Sequence, residues 1–210
     1  MPIGDIEVDI DMENVQDGVY LWGAVVTDRT GRGQVPTGYQ AFVTWEPLGP
    51  AEEAALFAQF WNWLGQLRSS AAESGRQLRA YCHNAAAENG RMRREAATLG
   101  LSGEVESFIA SEQWVDLMKV FESQLVTGSS IGLKKAAPLS GFTWEVDDPG
   151  GDVSMLYYET AVDASDQTTA EAARRWLLTY NRNDCEATAA LRHWLGTAAS
   201  ACPPIESLGN

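Results

Sequence analysis

IEVDIDMEN, residues 6–14, alternates apolar and acidic side chains: Ile6, Val8, Ile10 and Met12 interleave with Glu7, Asp9, Asp11 and Glu13. A period of two is the signature of a β-strand, which sends successive side chains to opposite faces. The apolar face has a core to find. The other face lines up four carboxylates, which repel one another and are poor strand formers. Glu7 and Asp9 are expected to face water. Asp11 and Glu13 need a further reason.

Working outward, Asp17-Gly18 signals a turn, and VYLWGAVVTD (19–28) reads as a second strand. RTGRGQVPTG (29–38) is a glycine-rich turn, with GRG as a hairpin too short for a phosphate loop, and YQAFVTW (39–45) is a third strand. Short links between successive strands predict an antiparallel meander. Residues 50–74 read as a helix with Pro50 in its first turn. QLRAYC (77–82) is a fourth strand, and residues 83–100 form a helix ending at Gly100.

The second half is mostly helical. EQWVDLMKVFESQLV and GLKKAAPLSGF are expected as two short helices, PGGD (149–152) as a break, and SMLYYETAV (154–162) as a helix. Residues 168–199 form either two helices or one bent around Asn181 to Asn183. The order of elements implies an α/β domain over residues 1–199, a sheet with helical cover. Residues 200–210 are a tail expected to fray.

The chain has 210 residues, enough to bury a sizeable core. Its net charge of −14 argues against coating nucleic acid by bulk attraction. It leaves open an enzyme that meets phosphates through bound cations, whose charge reverses the local electrostatics. Three scattered cysteines, Cys82, Cys185 and Cys202, argue against a disulfide framework or zinc site. No apolar run is long enough to span a bilayer, and no basic-then-apolar leader opens the chain. A cytoplasmic protein without membrane partners is expected.

Two more acids sit on apolar stripes. Glu88 shares a helix face with Met92, Ala96 and Leu99; Asp184 shares one with Thr188, Leu191 and Leu195, with Tyr180 one turn earlier. An unpaired buried carboxylate costs several kcal/mol, so a cation or hydrogen bonds must compensate. The plainer alternatives are a helix cap for Asp184 and a solvated face for the strand acids.

Taken in order, Asp11-Met12-Glu13, His83-Asn84-Ala85-Ala86-Ala87-Glu88 and Tyr180-Asn181-Arg182-Asn183-Asp184 resemble the three motifs of the DEDD exonuclease superfamily in its tyrosine form. More narrowly, DMENVQDGVYLWG, CHNAAAENGRMRREA, WVDLMKV, GLKKAAPLSGFTW and YNRNDCEATAALRHWL look like the YprB-type domain of RecB-like nucleases, from about Ile6 to Leu195. One departure is Glu88, where most of the superfamily carries Asp.

The resemblance implies an RNase-H-like fold, a mixed central sheet with antiparallel first three strands flanked by helices. It implies a 3′–5′ exonuclease acting on single-stranded DNA or RNA with two Mg²⁺ or Mn²⁺ ions, which suit hard oxygen ligands. In that scheme Asp11 bridges both ions, Glu13 and Asp184 complete the first site, Glu88 supports the second, and Tyr180 orients the attacking water beside Glu13. It also implies a RecB-like nuclease domain as neighbour, in the same or a partner chain. The rival reading is a catalytically weak or inactive nucleic-acid-binding or interaction domain.

Other residues have plainer expected roles. His83, Asn84 and Lys134 are candidate substrate contacts, against the alternatives of a helix start for the first two and a solvated helix end for Lys134 and Lys135. Asp116 is expected to cap a helix or make a local hydrogen bond, His193 to lie at the surface, and Cys185 to pack. Trp61, Trp63, Trp176 and Trp194 are expected in helix packing, Trp22 and Trp45 in the sheet.

Overall fold

The alternating stretch forms β1 (Ile6–Val15), the central strand of a five-stranded sheet with order β3-β2-β1-β4-β5. The structure is a computed structural model that describes residues 1–16, 18–33, 35–127, 131–147, 150–163, 165–204 and 207. β2 (Gly18–Asp28) runs antiparallel to β1, and β3 (Gly38–Val43) antiparallel to β2. β4 (Leu78–Cys82) and β5 (Trp114–Asp116) run parallel to β1. The sheet is therefore mixed, with its first three strands antiparallel, as expected.

Register places the site. β4 pairs with Ile6 to Asp9 of β1, whereas β2 pairs along its whole length. The second half of β1 thus runs on past its parallel neighbour. Crevices for ligands open in such places, outside the carboxyl ends of parallel strands. The β1–β2 pairing also shifts register between Glu13 and Asn14.

Helices cover both faces. On one lies α1 (Pro50–Glu73), with Pro50 in its first turn and Glu52 and Glu53 beside its positive end. Its buried Leu56, Phe57, Phe60 and Leu64 join Ile6, Val8 and Ile10 in the main core, where Trp22 stacks on Phe60 at 4.7 Å. Each such side chain contributes about 1.5–3 kcal/mol by leaving water. α2 (Ala86–Leu99) stops at Gly100, whose φ of 72° suits glycine. α3 (Ser102–Ile109) adds Val105 and Phe108 to the same core.

The other face carries α4 (Leu117–Gln124), α5 (Leu133–Ala136) with a 3-10 turn at Ala137–Ser140, α6 (Gly151–Val162) and α7 (Gln167–Thr197). Among the described residues, no helix is long and apolar enough to cross a membrane.

The structure departs from expectation in three places, at EQWVDLMKVFESQLV, α3 and Trp45, and decides one alternative, at α7. EQWVDLMKVFESQLV is not one helix: Trp114 to Asp116 pair with β4, and Asp116 then caps α4 by accepting from the Met118 N–H at 3.0 Å. α3 was not anticipated. α7 is one helix through Asn181 and Asn183, because both side chains are buried and bonded to neighbouring elements instead of competing for their own backbone. Trp45 lies just beyond β3, its ring under Arg174. Asp17 of the first turn, Gln34 of the second and Pro149 of the PGGD break lie outside the described residues, as does much of the tail.

Candidate metal centre

α7 lies along the acidic face of β1 in the opposite sense, so residues descending the helix meet residues ascending the strand. Near its end, Arg192 reaches the first half of β1. Its Nε and Nη2 donate to the two Asp9 oxygens at 3.0 and 2.8 Å, and its Nη1 donates to Glu7. Glu7 and Asp9 are 2% and 0% exposed. The expectation that they face water is thus corrected: they point inward because a buried guanidinium, stacked over Tyr81, pairs with both, and Arg29 adds a second cation to Glu7.

One helical stretch earlier, α7 meets the second half. Asp11, Glu13 and Asp184 each offer a carboxylate oxygen, and the three oxygens lie within 4.8 Å of one another. Glu13 and Asp184 are buried and Asp11 is half-buried. Asn181 fixes the cluster. Its Nδ2 donates to Asp11 Oδ2 at 2.9 Å, and its Oδ1 accepts from the Tyr39 hydroxyl at 2.8 Å. Gly23 makes room for it, since a Cβ there would stand 1.6 Å from Asn181 Oδ1. Asn181 was legible only as a letter inside the third motif, and its role needed the fold. Asp184 sits in mid-helix and is no cap.

Tyr180 lies beside Asp184, close enough to hold that carboxyl down, and is backed by Trp176, whose ring stacks on it at 5.1 Å. Trp144 Nε1 donates to Asp184 Oδ1 at 2.6 Å, and the Lys134 ammonium pairs with the same oxygen. Trp144 was not anticipated; it lies in irregular chain where no periodicity points to it.

Glu88 stands outside the three-carboxylate group but is buried in the first turn of α2, close enough that its charge raises Asp11. Its Oε2 is buried without a hydrogen-bond partner among the described residues. His83 Nε2 hydrogen-bonds the Ile131 carbonyl at 2.7 Å, tying the end of β4 to the segment that carries Lys134. Asn84 adopts φ 69°, and its N–H donates to Asp116 at 3.2 Å. Cys185 is buried and His193 exposed, as expected.

Burial is the main cause that pushes Asp11 well above the usual carboxylate range, followed by the charges of Asp184, Glu13 and Glu88. Burial, then Asp184, pushes Glu13 up to about 8, although Ser154, Lys134 and Asn181 hold it down. Burial, with Asp116 adding to it, raises Glu88 to about 8 as well. Glu13 and Glu88 therefore hold protons more tightly in the fold than at their ordinary 4.5. Their contribution to stability is present below pH 4.5 and is lost as pH rises through 8. In EDTA the melting temperature should fall by roughly 5 °C between pH 5 and pH 8. With Mn²⁺ present the fall should vanish, because a cation favours the ionised forms. Thermal melts across that window decide it; a rise in EDTA would contradict the assignment.

The donor set suits a hard divalent cation: three carboxylates converge on one point and a fourth, Glu88, keeps an oxygen unengaged. Asp11, Glu13 and Asp184 would hold such an ion.

Compared with the curated proteins and with the solved structures, the chain matches none. A family model described as RNase_H superfamily matches residues 5–196. That span takes in the sheet, the acidic cluster and nearly all of α7, and the cluster fits a nuclease that uses divalent metal. The chain belongs to the RNase H superfamily.

Proposed function

We propose that the protein is a metal-dependent 3′–5′ exonuclease of the DEDD type, in its tyrosine form, acting on single-stranded DNA or RNA. The observation that carries this reading is the convergence of Asp11, Glu13 and Asp184 within 4.8 Å, beside the Tyr180 hydroxyl. Divalent ions bound there supply charge stabilisation for the attacking and leaving oxygens of a phosphodiester. Asp11, Glu13 and Asp184 hold the ions, and Glu88 supports them from the start of α2. Tyr180, beside Asp184 and backed by Trp176, orients the water that attacks the terminal phosphodiester. Without metal, burial and then the charge of Glu13 push its hydroxyl far up. Lys134, together with His83 and Asn84, meets the substrate backbone. The YprB-type resemblance adds a RecB-like nuclease domain as partner, which would deliver strands to a chain of net charge −14.

A catalytically inactive binding or interaction domain is the second reading, and the Lys134–Asp184 ion pair speaks for it. Incubation of 5′-labelled single-stranded DNA and RNA with Mn²⁺ separates the two. A ladder shortening from the 3′ end in single-nucleotide steps is the expected result. Internal cuts would refute the exonuclease, and intact strands with saturable Mn²⁺ binding would favour the inactive domain.

A further inference from the structure

The acidic face of β1 has two halves with unlike counter-ions. Glu7 and Asp9 are closed by Arg192, whose side chain is 7% exposed and bonded to both. Among the described residues, the cation paired with the second half is Lys134, whose side chain is 36% exposed. Its ammonium lies 4.5 Å from the centre of the Trp144 ring and 4.4 Å from that of Tyr180. Two aromatic faces and one carboxylate oxygen thus form a seat for a cation.

We propose that Lys134 is a tethered counter-ion, which holds Asp184 until a divalent cation arrives and is displaced by it. The proposal rests on the reading of the cluster as a divalent-metal centre. Asp184 Oδ1 already takes the ammonium and the Trp144 N–H. A dication ligated by that oxygen needs the same lone pairs, and it repels an ammonium at contact distance. The charge of Lys134 also offsets the mutual repulsion of Asp11 and Glu13, so its departure leaves three carboxylates that favour metal. Arg192 is enclosed and cannot leave. Lys134 has a flexible stem and a third of its side chain in water, so it can. Metal and lysine are then two ligands of one carboxylate, and each weakens the other.

Three proteins test this: wild type, Lys134→Met and Lys134→Arg, each titrated with Mn²⁺ by calorimetry and melted in EDTA. Lys134→Met should bind Mn²⁺ roughly tenfold more tightly than wild type, a coupling of ordinary size. It should also melt lower in EDTA, with a larger shift on adding Mn²⁺. Lys134→Arg keeps a cation and should stay near wild type in both. A ¹⁵N-lysine spectrum of the wild type should show a protected ammonium signal in EDTA that disappears with Mg²⁺. This readout holds even if Lys134→Met fails to fold without metal. Equal or weaker Mn²⁺ binding by Lys134→Met, or an ammonium signal that survives Mg²⁺ saturation, overturns the displacement while leaving the metal centre standing. Wild type without saturable Mn²⁺ binding overturns the metal centre itself.

Discussion

Asp11→Asn should lower Mn²⁺-dependent hydrolysis of single-stranded DNA by about 10³-fold or more and, in EDTA, raise the melting temperature. The two effects have one cause. Asp11 lies where the charges of Asp184, Glu13 and Glu88 all oppose its ionisation. Above about pH 8, where Glu13 and Glu88 ionise as well, removing its charge relieves that repulsion in the metal-free protein. The asparagine oxygen still accepts from Asn181 Nδ2, so the packing between β1 and α7 is kept. The same substitution removes the carboxylate central to the proposed ion site. Losing about 4 kcal/mol of charge stabilisation at a phosphodiester corresponds to that rate loss. Product ladders and melts on one preparation check both halves. Full activity would remove Asp11 from the site, and inactivity with a lowered melting temperature would point to a folding defect instead.

The parts of this arrangement that were legible in the sequence are those written in local periodicity. Alternation at Ile6 to Glu13 marked β1, and the three-and-four spacing around Glu88 and Asp184 put both acids on buried helix faces. Pairwise geometry across the chain was not legible. Glu7 and Asp9 look like surface acids until α7 is laid antiparallel along β1, which brings Arg192 to them from more than 180 positions away. Gly23 reads as an ordinary strand residue until Asn181 fills the space above it. Trp144 and Lys134 come from short or irregular pieces, where no period marks a face. β5 is three residues long, too short to alternate, and exists because β4 offers it an edge.

The largest loss of stability is expected from Arg192→Met. The guanidinium donates to both oxygens of Asp9 and to Glu7, all three residues being buried. Methionine fills much of the same space but strands Asp9 in the interior and leaves Glu7 with the half-exposed Arg29 as its cation. Breaking such a buried set from one side costs about 3–5 kcal/mol. Urea unfolding at pH 7 should show that loss. The deficit should shrink towards pH 5, because burial already pushes Asp9 up to about 6 with Arg192 holding it down, and further up without it. Protonation then neutralises the stranded group. Arg192→Met combined with Glu7→Gln and Asp9→Asn should regain most of the stability, since no buried charge is left unpaired and Arg29, which loses Glu7, is 45% exposed. A single variant within about 0.5 kcal/mol of wild type, the range of ordinary surface changes, would show that the triad is not a structural clamp. If it is one, the effect reaches the candidate centre. Asp184 and Arg192 share α7, and the register that sets Asp184 beside Asp11 is held at the far end by this ion triad. Mn²⁺ affinity should therefore weaken in Arg192→Met, although Arg192 touches none of the three clustered carboxylates.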